Sequence, residues 1–510
     1  MSGFIIEGGI YFLILFTPFA FGGVELWAQG VLQIVTGIIV AAWIWNRSGR
    51  PAQGPQRLPQ RVMWVTIALF VAFVCFQLIP LPPAWIQKLS PGTYDLYAGS
   101  LPGYAQGEDF SAARLPAWLL ERQATHLAEV AGTGDAAQLP EATPGAGGFP
   151  ARASSWRSLT IYPFETWQRL KLLLCFAGLY AVTTSWFSRK ERLNRLLAMT
   201  VFSGFALSLL GIIQKLTWNG KLLWIREGTY GNVFGPYVNR NSYAAFAGTV
   251  LPLAVCMAFG AMRRVEQGRQ GALSRLLLWV FMTVTIAGGI FYSLSRGGIL
   301  TAVLSLALVA GLLLYYGRGA RDLAVLGLMA LAAAGFLVWL GPEQVIERLG
   351  TLSGGQGIPS MEARMAAWGR TTDLMASSPV VGTGLGTFRF SFMRFAPPGE
   401  GWWTEAHDEY LELLCDTGAI GGLLFVAGFA SWLMLVWHPS WFRDRSDRFA
   451  FMGGVAGIAG LLIHSTVSSN MQVPANGLLL TLLGAALVCL VDGQSTKKRG
   501  RARGDGAMTA

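Results

Sequence analysis

Apolar residues in this chain run in long, nearly unbroken windows, without the two-residue alternation of a half-buried strand or the single stripe of a surface helix. Hydrocarbon about 30 Å thick takes roughly 20 such residues per helix. Windows of that size fall at 8–24, 28–45, 62–79, 168–187, 196–214, 242–260, 275–293, 298–316, 322–340, 418–437, 449–468 and 475–491. Two of the polar segments between them are long enough to fold. Segment 80–167 opens on the helix stop Pro80-Leu81-Pro82-Pro83, carries an amphipathic piece at 118–130 and a loose glycine-rich stretch at 132–150. Segment 341–417 opens on Gly341-Pro342, passes a glycine-rich stretch at 353–357, and then has a helical pattern over 360–375. The pattern predicts an all-α polytopic membrane protein with about twelve spans. It divides into N-terminal helices (1–79), an outer loop (80–167), central helices (168–340), a second outer loop (341–417), C-terminal helices (418–491) and a basic tail (492–510).

Composition strengthens this picture. Of 510 residues 53% are hydrophobic and only 13% charged, which excludes a soluble, disulfide-stapled or disordered chain. The 63 glycines suit close helix packing in lipid, and the 19 tryptophans suit its interfaces. The five cysteines are odd in number and mostly lie inside apolar runs, where they read as small hydrophobes. The first apolar run follows no basic segment and no A-x-A site closes it, so a retained span is expected, not a cleaved signal.

The net charge of +11 leaves nucleic acid, anionic lipid or asymmetric loops as explanations, and the positions of the charges decide. Arg47, Arg50, Arg57 and Arg61 share one connection; Arg189, Lys190, Arg192 and Arg195 another; Arg263, Arg264, Arg269 and Arg275 a third. Arg318 with Arg321, Arg443 with Arg445 and Arg448, and the tail from Lys497 complete the set. By the positive-inside rule all of these face the cytoplasm, which places both termini inside and needs no nucleic-acid partner. Lys215, Lys221, Arg226, Arg240 and Arg296 remain on outer connections against the rule, and mark where an anionic ligand is expected.

Ionisable groups at membrane depth are costly, so they are functional candidates. Arg296 lies in Ser293-Leu294-Ser295-Arg296-Gly297-Gly298, a tight turn between two spans; it either snorkels or holds a phosphate. Asn239, Arg240 and Asn241 open a predicted helix, where backbone donors, the positive dipole end and a guanidinium could bind an anion or a sugar, and where capping would also explain the asparagines. His407, in Glu405-Ala406-His407-Asp408-Glu409-Tyr410, precedes a span on a predicted outer helix. Its imidazole could take a proton from a hydroxyl at neutral pH, oriented by Asp408 or a neighbouring carboxylate. The same acidic run also fits a solvated helix face. No other histidine is close in sequence, so no metal is expected. Arg364 would pair with Glu362 or an anion; Arg370 and Arg389 are supporting candidates in the same outer loop. Gly382-Thr383-Gly384-Leu385-Gly386 reads as a loop turn, because no strand or βαβ unit surrounds it. His464-Ser465-Thr466-Val467-Ser468-Ser469-Asn470, placed inside the eleventh span, reads as polar glue between helices.

The segments Val238 to Ala244, Ser293 to Gly298, Ala406 to Gly421 and His464 to Asn476, in this topology, resemble the O-antigen ligase and polymerase superfamily of bacterial membrane glycosyltransferases. The resemblance spans most of residues 160–490. It implies a GT-C-like transferase fold in the inner membrane with a periplasmic active site. Such an enzyme moves a glycan from undecaprenyl pyrophosphate to a sugar hydroxyl, on lipid A core or a growing polysaccharide, with no cofactor and no divalent metal. Carried over, His407 matches the family's essential histidine, Arg296 and Arg364 its diphosphate-binding arginines, and Arg240 a motif found in a subset. Asp408 stands where many relatives have asparagine, and Ser242-Tyr243 replaces a frequent His-Phe; both departures bear on the acceptor. Ligase, polymerase and protein O-oligosaccharyltransferase remain open. A lipid-linked oligosaccharide flippase fits less well, because the candidate charges sit at the outer boundary and the chain shows no repeated halves.

Overall fold

The structure, a computed structural model, describes residues 2–47, 57–101, 104, 155–227, 233–316, 319–340, 358–396, 405–437 and 445–507. The amphipathic piece at 118–130, the stretches at 132–150 and 353–357, and Arg50, Arg318 and Arg443 lie outside the described residues, as do the side chains of Glu362 and of the basic tail.

The described residues are helical almost throughout. The helices are α1 (Ser2–Phe19), α2 (Leu26–Arg47), α3 (Leu58–Leu78), α4 (Pro83–Leu89), α5 (Pro91–Ser100), α6 (Pro163–Trp186), α7 (Lys190–Leu216) and α8 (Arg240–Glu266). They continue with α9 (Ala272–Tyr292), α10 (Arg296–Tyr315), α11 (Gly319–Leu340), α12 (Ile358–Ser377), α13 (Phe388–Ser391), α14 (Glu409–Val436), α15 (Arg445–His464) and α16 (Pro474–Ala507). Every apolar window has become a helix, and among the described residues ten are long and apolar enough to cross a membrane. The two that fall short of the twelve expected are α6 and α11. Glu165, Arg169 and Lys171 occupy the first turns of α6, and of α11 only the side chains from Asp322 to Gly335 are among the described residues, a stretch too short to count as a span. A two-residue antiparallel pair, β1 (Pro80–Leu81) with β2 (Arg157–Ser158), closes the base of the first outer loop in the register Pro80↔Ser158 and Leu81↔Arg157.

The core is built round α8, buried from Ser242 to Met262 but for Met257. Its closest partner is α15, and small residues make the approach possible. A Cβ at Gly453 would meet Leu253 Cα at 2.7 Å and the Pro252 carbonyl at 2.8 Å, and one at Gly457 would run into the Thr249 carbonyl.

The two ends of the bundle differ. At one end, ion pairs stitch together the basic connections: Glu7 with Arg192 (3.0 Å) and Arg195 (2.8 Å), Lys190 with Asp447 (3.0 Å), Arg57 with Asp492 (3.0 Å), and Arg263 with Asp322 (2.8 Å). The opposite end gathers the α9–α10 turn, the start of α8, the outer loops and the segment joining α15 to α16. There the amide of Gln77, fully buried in α3, donates to the Val381 (2.8 Å) and Asp416 (3.0 Å) carbonyls and accepts from the Leu385 N–H (3.1 Å), tying α3 to the second outer loop and α14. Helix α14 is broken at Gly418 (φ 60°, ψ −164°), where a Cβ would strike the Val380 backbone.

Candidate functional site

Two helix starts meet at the second end. Asn239 caps α8, its side-chain oxygen accepting the Asn241 N–H at 2.9 Å, so Arg240 is the first residue of that helix. Ser295 caps α10 in the same way, accepting from Gly298 N–H at 3.2 Å, and Arg296 is the first residue there. The Ser295 hydroxyl then donates to Asn241 at 2.8 Å, which locks one start to the other. Gly298 lies against Ala244 with no room for a Cβ. Two helix N-termini, each led by an arginine, are thereby set side by side, an arrangement suited to a multiply charged anion. Leu294, just before the second start, is left-handed (φ 58°), strain that non-glycine residues tolerate where the surroundings force it.

His407 is held by three neighbours. Trp368 of α12 donates to the Ala406 carbonyl at 3.0 Å, the Ala406 N–H donates to Glu412 at 3.3 Å, and Asp408 caps α14 by accepting from Tyr410 and Leu411 N–H at 2.9 and 3.0 Å. Because the helix begins after that cap, His407 does not lie on an outer helix as expected. It sits before α14 in the left-handed region (φ 54°), so the span opens nine residues earlier than hydropathy placed it, at Glu409. Glu409 N–H donates to the Ser465 carbonyl (2.9 Å) and the Tyr410 hydroxyl to the Leu462 carbonyl (2.9 Å), fixing the motif against the end of α15.

Burial, and after it the Arg364 guanidinium, hold the His407 imidazole down at about 4, so the ring is uncharged at neutral pH. Its Nδ1 is 3.8 Å from a Glu405 carboxylate oxygen. Burial and then Glu412 push the Glu405 carboxyl up to about 7, with Arg169 opposing them. Arg364, itself half-buried and pulled below its ordinary value by that burial, donates to the Val467 carbonyl at 3.3 Å.

Residues 465–473 are not the end of a span but an irregular link between α15 and α16, and they form the wall between the two halves of the site. Its polar groups cannot continue the helix and instead satisfy the outer end: Ser469 donates to Glu412 (2.9 Å), and Met471 N–H to Glu409 (3.0 Å). A Cβ on Gly297 would come within 3.0 Å of His464 Nε2 and 3.4 Å of Val467, so the Arg296 turn abuts the same link that Arg364 grips. The ring Nδ1 of His464, the hydroxyls of Ser465 and Ser468 and both amide atoms of Asn470 are buried without a hydrogen-bond partner among the described residues. Each such group costs about 1–3 kcal/mol unless something polar meets it.

The predicted residues therefore sort into groups. Arg364, the Arg296 turn and the His407 motif meet the 464–473 link, while Asn241 and Arg240 belong to the helix start locked to the Arg296 turn. Asn239 and Asp408 spend their side chains on capping. Arg370 lies on α12 beyond Arg364, half-buried. Arg389 pairs with Glu165 at 3.1 Å and lies 4.7 Å over the Phe390 ring, facing a cavity beside Glu405, away from the helix starts. Lys221 and Arg226, expected near an anion, are instead bound to Glu227 and Glu25, each at 2.7 Å. The Gly382–Gly386 stretch is the loop turn expected, its Gly386 N–H donating to Asp416 at 2.6 Å. His464, Glu405 and Arg169 were missed as single residues. His464 lies in a segment whose polarity had been noticed, but only the fold sets it against Gly297.

Residues 281–426 match the family described as O-antigen ligase, a stretch that takes in Arg296, Arg364 and His407 but neither Arg240 nor His464. No curated protein matches the chain. The ten candidate spans among the described residues and the match over 281–426, whose motifs converge at one end of the bundle, make this a multi-pass membrane protein bearing an O-antigen ligase domain.

Proposed function

We propose that the chain transfers a glycan from undecaprenyl pyrophosphate to a sugar hydroxyl on the extracytoplasmic face of a bacterial inner membrane. The observation that carries this reading is an uncharged, half-buried imidazole beside Arg364, itself bound to the link that packs on the Arg296 turn. Arg296, Arg364 and Arg240 would hold the diphosphate. His407 would take the proton of the acceptor hydroxyl as its oxygen forms a bond to the anomeric carbon. The bond from that carbon to the diphosphate oxygen breaks, the lipid diphosphate leaves, and the anomeric centre inverts. Guanidiniums stabilise the leaving group most as its charge develops, which is where catalysis gains, and they do so without a divalent metal. A diphosphate paired with Arg364 also cancels one of the two causes that weaken His407 as a base, so donor binding strengthens the base.

The face is argued from charge. Basic connections cluster at the far end of the bundle, and the positive-inside rule makes that end cytoplasmic. His407→Ala and Arg296→Ala are expected to cut transfer in membranes by about 10²- to 10⁴-fold with the protein still present; ordinary product from either variant refutes the assignment. Product analysis in a strain lacking the gene separates the subclasses: loss of all long chains on lipid A indicates ligation, and single repeat units on normal acceptors indicate polymerisation.

A further inference from the structure

Beside the His407 motif lies a cavity of about 380 Å³ that the arginines of the diphosphate site do not enter. This is within the size range of pockets that hold small organic ligands. It is formed by the outer ends of helices far apart in sequence: α2, α6, α14 and α16, with the start of α13. Its lining is divided. Leu26 (59% exposed) and Phe164 (49% exposed), with Val24, Val473 and Pro474, make an apolar rim at the outer end of the bundle, flanked by the exposed Trp27 and Trp167. The floor carries three carboxylates, Glu165, Glu405 and Glu412, against two guanidiniums, Arg169 and Arg389. Both guanidiniums are already paired with Glu165, at 3.2 and 3.1 Å. Beside them the cavity is lined by Glu405, by Glu412, which already accepts from Ser469 and the Ala406 N–H, and by the amides of Gln168 and Gln472, which can both donate and accept.

Such a floor, with both guanidiniums engaged by Glu165 and a mixture of donors and acceptors round them, suits a ligand that presents many hydroxyls. The cavity and the catalytic motif share one residue, since the Glu405 carboxylate is 3.8 Å from His407 Nδ1. The geometry points to this cavity as the acceptor subsite: it takes a hydroxyl-rich saccharide, with the apolar rim seating the lipid anchor that carries it, and Glu405 positions His407 toward the hydroxyl. This inference rests on the transferase reading. It separates the substrates in space, donor diphosphate at the helix starts and acceptor saccharide in the cavity on the other side of His407.

The test uses the full chain in native membranes with a photoreactive benzoylphenylalanine in place of Phe164, an exposed rim position that the fold can spare. The expected result is a cross-linked carbohydrate that survives mild acid, a treatment that splits sugar diphosphates; the mass of the adduct reads whether the sugar carries a lipid anchor. An adduct that mild acid cleaves with release of polyprenol places the donor in the cavity and overturns the proposal. So does the absence of any carbohydrate adduct in membranes that make product. An anchor-free adduct overturns the role given to the rim. In parallel, Gln168→Trp fills the cavity from α6, and is expected to raise the KM for acceptor on the order of tenfold with the donor KM unchanged. A donor effect alone, or no effect on either, refutes it. Failure of the transferase reading itself has a different signature, normal product from His407→Ala.

Discussion

Replacing Arg364 by glutamine removes one of two forces on His407 and leaves the other in place. Burial and the guanidinium together take the imidazole from 6.5 to about 4, which makes the charged ring roughly 300-fold harder to form. Burial is the larger cause, so losing the charge returns at most half of that interval, and the midpoint in Arg364→Gln is expected above 4 but no higher than about 5.3. The chain has four histidines, His126, His407, His438 and His464, few enough for each ε1 carbon to be assigned by single substitution in labelled protein and followed by NMR against pH. The sign is fixed: His407 acts as a base only when deprotonated, so transfer is lost as pH falls through its pKa. Because donor binding occupies Arg364, the acid limb in kcat should lie at higher pH than the limb in kcat/KM, which reports the free enzyme. A wild-type His407 that titrates at 6.5 or above, or an Arg364→Gln protein whose midpoint does not move, refutes the electrostatic account.

At the far end of the bundle, Asp322→Ala leaves Arg263, only 16% exposed, with Glu266 alone at 3.0 Å; a loss of about 3 kcal/mol and a fall in Tm of roughly 5–10 °C are expected in detergent, and an unchanged Tm refutes the weight given to that pair. Topology has a direct check in intact cells: Asn219→Cys should react with an impermeant thiol reagent and Gln267→Cys should not, and the reverse pattern turns the protein over in the membrane.

Hydropathy located the long apolar helices, because a span must be apolar for most of its length and few other demands compete with that one, but it did not find the short helices α4, α5 and α13. It failed where a helix end is decided by hydrogen bonds. Asp408 starts α14 well ahead of the apolar run, and the groups from Ser465 onward end α15 while the sequence is still mixed. His407, Arg296 and Arg364 were legible because ionisable residues near a membrane boundary stand out against their surroundings. The left-handed backbone at His407 was not, nor was the cavity, whose lining comes from five separate stretches of the chain. Lys221 and Arg226 show the limit of reasoning from charge alone: Glu227 stands six residues from Lys221 in the sequence, and Glu25 comes beside Arg226 only on folding.

The packing of α8 against α15 also sets an order of assembly. Helix α8 is apolar enough to enter the membrane as it is made, yet the groove that Gly453 and Gly457 fill stays open until α9 through α14 have followed. The two arginine helix starts can form early, from α8 and α10 alone. His464 and the 465–473 link arrive with α15, behind the histidine motif they brace. A chain that stalls before α15 would thus present the two arginine-led helix starts without the link that braces His407.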